Sequence, residues 1–139
     1  MTYCICFVFS SDLTEVLLEQ WDYGDFLGER LNGISLAIKD DSPRDTAVKD
    51  VAEWLNLTVT PEELVLVNVV TEDRGTVFYS HYNYALRVNK DRIPEEILQS
   101  KNLKWCKIEE ALGGVTNKFL KGIHTIECIE KAIDLLASN

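Results

Sequence analysis

Two carboxylates, Asp50 and Glu53, stand three residues apart where apolar residues repeat at helical spacing. On a helix, residues three or four apart share a face, so both side chains project together. Hard divalent ions such as magnesium and manganese take carboxylate oxygens as ligands. Such an ion offsets the negative charge of a phosphoanhydride and positions the attacking water. Pyrophosphate hydrolysis is therefore the chemistry this pair could serve. On helix spacing alone, the solvated face of an amphipathic helix is the better explanation. Trp54 lies four residues after Asp50, and an indole cannot bind magnesium. It could stack on a nucleobase, since aromatic faces accept any base, or it could cap the core.

Other chemistry-bearing residues are scattered. Trp21, Tyr23 and Phe26 sit in a segment, Trp21 to Gly33, with three glycines and three aromatics. Glu72, Asp73, Glu109 and Glu110 could supply a further metal ligand or a general base, or be surface acids at turns and helix starts. His81 falls in an expected strand and His124 in the last expected helix, both without a nameable partner. Cys4 and Cys6 would share one face of a strand. With no histidine near them in sequence, they read as buried structural thiols rather than metal ligands. No nucleophile elbow, Walker loop or zinc-ligand spacing occurs.

The elements that must carry these residues are legible in outline. Tyr3 to Ser10 reads as a strand, Asp12 as a turn and Val16 to Glu19 as the returning strand. Trp21 to Gly33 reads as a loop and Gly33 to Lys39 as a weaker strand. Ser42-Pro43-Arg44-Asp45 is a strong helix start: Ser42 suits the N-cap, Pro43 the first helical position, and Asp45 a capping-box-like spacing. Ala47, Val48, Val51 and Leu55 form the apolar stripe of that helix. Asn56 tolerates the left-handed conformation that ends helices. Leu64 to Thr71 and Thr76 to Val88 read as two strands around a turn at Glu72 to Gly75. Leu103 to Ile108 reads as a strand and Glu109 to Leu112 as a helical turn. A last helix from Thr116 carries Phe119, Ile123, Ile126, Ile129, Ile133 and Leu136. The order predicts an α+β fold, a mixed sheet between helices.

Composition narrows the partners. The chain has 139 residues, 46% of them hydrophobic and 27% charged, which suits one globular domain spanning 1–139. A net charge of -9 argues against nucleic-acid polymers and anionic membranes. A small phosphorylated ligand stays compatible, because a metal ion screens its charge locally. No apolar run approaches a membrane span. The N-terminus lacks the positive region and cleavage site of a secretory signal, which predicts a cytoplasmic protein. Its four cysteines would then be reduced.

The segment Ser35 to Leu57 resembles the Nudix box, whose core reads R-E-U-x-E-E-x-G-U with U aliphatic. Without a gap, Ser35 falls on the first glycine and Asp41 on the first glutamate. Lys49 falls on the arginine, Asp50 on the next glutamate, Val51 on the aliphatic position, and Glu53 on a glutamate it matches. Trp54 falls on the last glutamate, Asn56 on the late glycine and Leu57 on the closing aliphatic. Leu31-Asn32-Gly33 before the box is similar to the family's lead-in. Leu66 to Gly75 is similar to its following hairpin, and Trp105 to Leu112 to its late strand and short helix.

The resemblance implies a Nudix-type α/β/α sandwich. It implies magnesium- or manganese-dependent cleavage of the pyrophosphate in a nucleoside diphosphate linked to another group. Asp50 and Glu53 would hold the metal, and Lys49 would orient an acidic partner such as Asp41. Trp21, Tyr23, Phe26 and Trp54 would lie near the substrate. Asp50 and Lys49 are near-replacements that keep charge, although lysine loses the bidentate fork of arginine. Trp54 is the change that removes a ligand. The alternative is a non-catalytic nucleotide-binding or regulatory module that kept the fold, and a homodimer is a third role the sequence leaves open.

Overall fold

A computed structural model describes residues 2–22, 29–37, 42–73, 75–113 and 123–138 of the chain. The strands are β1 (Thr2–Ser10), β2 (Glu15–Asp22), β3 (Glu29–Asn32), β4 (Ile34–Ala37), β5 (Val65–Asp73), β6 (Phe78–Val88) and β7 (Leu103–Lys107). The helices are α1 (Pro43–Leu55), α2 (Glu95–Ser100), α3 (Ile108–Gly113) and α4 (Ile123–Ala137). Short 3-10 turns sit at Pro61–Glu63 and Lys90–Arg92.

The strands form one mixed sheet. β1 is central and pairs along its whole length with β6 in parallel, from Thr2↔Ser80 to Ser10↔Val88. On its other edge β1 is shared. Its first half pairs antiparallel with β4 (Cys4↔Leu36), and its last residues with β2 (Val8↔Leu17). β2 in turn pairs with β3 and β7. β1 and β2 thus splay apart, and the β3–β4 segment fills the fork. Gly33 is the joint between its two halves. A Cβ there would come within 2.7 Å of the Ile5 side chain and 2.9 Å of the Phe7 ring.

Alternation along β1 sorts the core into two layers, since strand side chains point to opposite faces in turn. Cys4, Cys6 and Val8 pack with Leu17, Leu86 and the α1 residues Ala47, Val51 and Leu55. Phe7 and Phe9 pack with Val16, Leu18 and the α4 residues Cys128, Ile129, Ala132 and Leu136. The result is an α/β/α sandwich, as the order of elements predicts.

One expectation is corrected. Trp21 and Asp22 continue β2, and residues 29–32 are a strand, so the segment from Trp21 to Gly33 is not simply a loop. Long-range pairing (Trp21↔Arg30) overrides the local glycine signal. The strand expected from Gly33 to Lys39 is present as β4, Ile34–Ala37, and its expected end at residues 38–39 lies outside the described residues. α2 was not foreseen, because six residues are too few to show helical periodicity. α4 is described from Ile123, so an earlier start at Thr116 and the place of Phe119 lie outside the described residues. No helix among the described residues is long and apolar enough to cross a membrane.

Candidate active site on the α1 face

α1 is set by its own ends. The Ser42 hydroxyl accepts from the Asp45 N–H at 3.3 Å, Pro43 opens the helix, and Asn56 closes it at φ 52°, ψ 41°. These caps satisfy backbone groups a helix end leaves unpaired, and asparagine is among the few residues that take this left-handed conformation readily. Arg44 then ties the first turn to the start of β5. Its guanidinium donates to the Pro61 carbonyl at 2.9 Å and to the Leu64 carbonyl, and stands 5.3 Å from the centre of the Tyr84 ring.

Ser35, at the first position of the box, lies in β4 opposite Ile5 and takes no left-handed conformation. Its N–H faces the fork, where the Glu19 carboxylate of β2 accepts it at 3.1 Å. A side chain thus replaces the ladder bond lost where β2 and β4 diverge. No sequence pattern marks Glu19 for this role, since its partner is sixteen residues away.

Along α1, Asp50 is half-buried and Glu53 exposed, on the stripe beside the core-facing one. Asp50 lies against the start of β1. Burial first, and the Asp50 carboxylate second, push the Cys4 thiol up to about 11. Burial and then Cys4 push the Cys6 thiol up to about 12. Both are protonated near neutral pH and are not nucleophiles. Cys4 donates to the Pro43 carbonyl at 3.5 Å, and all four cysteines are free and buried.

Trp54 turns towards the core and is partly buried there, with the Lys101 ammonium 5.1 Å from its ring centre. That cation–π contact occupies a ring face that a stacked base would need. Lys49 is exposed and makes no ion pair among the described residues; Asp41 lies outside them. Trp21 is placed at the end of β2, while Tyr23 and Phe26 also lie outside the described residues. Among the described residues, no three histidine, cysteine, aspartate or glutamate side chains come together to hold a metal ion.

One residue of this helix escaped the sequence reading. Thr46 is 4% exposed, and its hydroxyl has no hydrogen-bond partner among the described residues. The signal was its place one helical turn before Asp50.

No protein-family model matches the chain, and no curated protein matches it significantly. Solved structures do. The chain is 19% identical to Shewanella oneidensis NrtR solved with a 27mer DNA, at a TM-score of 0.71 over 99% of this chain. It spans only 62% of that NrtR chain. The NUDIX domain of the same protein, solved with ADP ribose, matches at a TM-score of 0.63 and 16% identity, over 98% of this chain and 88% of that one. An Ap4A hydrolase from C. elegans matches over 97% of both chains, at a TM-score of 0.66 and 17% identity. At such identities the likeness speaks to architecture, and on that ground the chain has the Nudix fold.

Proposed function

We propose that this domain hydrolyses the pyrophosphate of a nucleoside diphosphate linked to another group, more slowly than a complete box would. The observation that carries this reading is Asp50 and Glu53, three apart on one stripe of a helix at the gap-free box spacing. The solved likenesses to a NUDIX domain with ADP ribose and to an Ap4A hydrolase support that ligand class.

Magnesium or manganese fits these residues in one respect and fails in another. Two hard carboxylates suffice for an ion that arrives with substrate phosphates, as magnesium usually does. The third box carboxylate is gone, and Lys101 lies over the residue that replaces it. Bound here, the ion would offset phosphate charge and lower the pKa of a water. Asp50 and Glu53 would hold it. Glu19 keeps β4 in place at the front of the box, and Arg44 fixes α1 against β5. Lys49 would orient Asp41, and Trp21, Tyr23 and Phe26 would lie along the ligand.

The test is hydrolysis of ADP-ribose, nucleotide sugars, dinucleotides and nucleoside triphosphates with manganese, magnesium or EDTA. We expect turnover that EDTA abolishes. Turnover unaffected by EDTA and by Glu53→Gln would remove both carboxylates from the mechanism.

A second reading has its own observation. The inward-packed Trp54 favours a ligand-binding module without catalysis. Calorimetry with ADP-ribose that shows binding while every assay stays silent would select it. The charge of -9 leads us to expect no binding of this domain to nucleic-acid polymers. Light scattering of the purified chain tests the homodimer, and cell fractionation tests the proposed cytoplasmic setting.

A further inference from the structure

We infer that the outer edge of β5 is a docking site for an extended, basic peptide segment of another protein, which adds a strand to the sheet there. The edge lies apart from the helix that carries Asp50 and Glu53, and its role does not depend on hydrolysis.

β5 ends the sheet and pairs with β6 alone among the described residues. Its other side therefore presents a row of backbone N–H and C=O groups, a template for a further strand. Natural edges are commonly kept short, or guarded by charge, proline or a bulge. β3 is four residues long, and β7 is five residues long with Lys104 and Lys107. β5 runs for nine residues, and from Val65 to Thr71 it holds neither a charged residue nor a proline. The bulge between Leu66 and Asn68 leaves a regular run from Asn68 to Asp73.

The same edge is apolar on one side. α1 packs on β1 and β4, and the outer hairpin on that side is left exposed. Leu66, Val69, Val77 and Phe78 are 39%, 44%, 40% and 61% exposed. They are four of the five large hydrophobic residues so exposed among the described residues, and a cluster of this kind marks an interaction surface. Leu66 and Val69 lie opposite Tyr84 and Tyr82 of β6, which places them on the α1 side of β5. A strand added beside β5 sets its alternate side chains against them.

Charge decides the occupant. Glu62 and Glu63 stand exposed just before β5, and Asp73 is exposed at its end. Arg44 bonds to the Pro61 and Leu64 carbonyls and offsets part of this charge, while the net charge of -9 adds to it. A second copy is the poorer fit. Antiparallel pairing of β5 with itself about Val69 sets Asp73 opposite Val65, so that Glu62 and Glu63 of one copy approach Asp73 of the other. Like charges so placed repel. Four half-exposed side chains also fall short of the about 800 Å² per partner that a stable dimer buries. A single strand with apolar residues at alternate positions and lysine or arginine at its ends suits both the narrow edge and its sign. In such strand addition the backbone bonds supply affinity and the alternate side chains supply specificity.

The experiment follows fluorescence anisotropy of a labelled synthetic peptide as the full chain is titrated in. The peptide alternates valine and threonine and carries paired lysines at both ends. One control has glutamates in place of the lysines, and another is N-methylated along its pairing edge. We expect the lysine peptide to bind and both controls to bind about tenfold more weakly or worse. Val69→Lys should weaken binding about tenfold or more. Asp73→Lys should weaken it by a few fold, an effect that fades as salt is added. Bound peptide should slow hydrogen exchange of amides within residues 68–73. Val69 is exposed, so Val69→Lys should melt like wild type; if it melts lower, the exchange protection in wild type decides. A lysine peptide that does not bind overturns the inference, as do equal binding of the methylated peptide and exchange protection outside residues 68–73. A wild type that sediments as a dimer and becomes a monomer in Val69→Lys gives the edge to a second copy and overturns it too.

Discussion

On the α4 side of the sheet the buried polar side chains bond to one another, whereas on the α1 side one of them does not. The Thr125 hydroxyl of α4 donates to Asn32 Oδ1 at 3.1 Å, and the same oxygen accepts the Gly33 N–H at 2.8 Å. Asn83 donates to Asn68 Oδ1 at 2.7 Å, and Asn68 reaches the Cys128 thiol of α4 at 3.5 Å. These groups pin a helix to a sheet and have little capacity left for a ligand. On α1 the Thr46 hydroxyl is buried and has no hydrogen-bond partner among the described residues. Satisfied polar groups hold a fold together, whereas a buried unsatisfied one detracts from its stability.

The comparison makes graded predictions. The largest concerns activity. Glu53→Gln should lower metal-dependent turnover about a hundredfold, close to 3 kcal/mol in transition-state terms. Its melting temperature should stay near wild type, because Glu53 is exposed. A matching loss of stability would mean that α1 is no more specialised than α4.

Asn83→Ala should act the other way round. It removes the donor to Asn68 in a buried place and should cost about 1–3 kcal/mol in urea unfolding, with little effect on turnover of the folded protein. Next is a matched pair. Thr125→Val, which breaks a buried hydrogen bond, should cost about 1 kcal/mol. Thr46→Val, which breaks none, should be neutral or stabilising in the absence of metal. Equal losses in the two variants would dissolve the contrast between the faces.

The smallest effect belongs to neither face. At the β1–β2 turn, Asp12 accepts from the Thr14 hydroxyl at 2.7 Å, the Ser10 hydroxyl at 2.8 Å and the Thr14 N–H at 3.1 Å. These bonds, with the Thr14 hydroxyl first, hold its carboxyl down at about 2, below an ordinary 3.8. A depressed folded value means that stability is present above the unfolded pKa and lost on acidification through the folded one. The melting difference between wild type and Asp12→Asn should therefore be constant above about pH 5 and shrink between about pH 4 and 2. The same turn holds Leu13 at φ 59°, a conformation leucine seldom takes, with its side chain packed on the α4-side core.

α1 was the most legible element. Its start, stop and buried stripe follow from Ser42, Pro43, Asn56 and the spacing of Ala47, Val51 and Leu55, all of which act within a turn or two of the chain. The candidate carboxylates were legible for the same reason, since residues three apart on a helix must share a face. The strands around the fork were not. Trp21 and Arg30 are paired through the sheet, and nothing in the sequence between them, with Gly24 and Gly28, announces it.

The sequence by itself thus determined the helix that carries Asp50 and Glu53, the alternation that sorts β1 into two core layers, and the presence of a tryptophan, Trp54, beside the two carboxylates. Only the tertiary structure decided what surrounds them. The Gly33 joint against Ile5 and Phe7, the Glu19 bond to Ser35, Lys101 over Trp54 and the orphaned burial of Thr46 join residues far apart in the chain or depend on the packing around them. The physical reason is reach. Caps and periodicity are local and repeat in any chain, whereas burial and cross-sheet bonding exist only once distant segments have closed on one another.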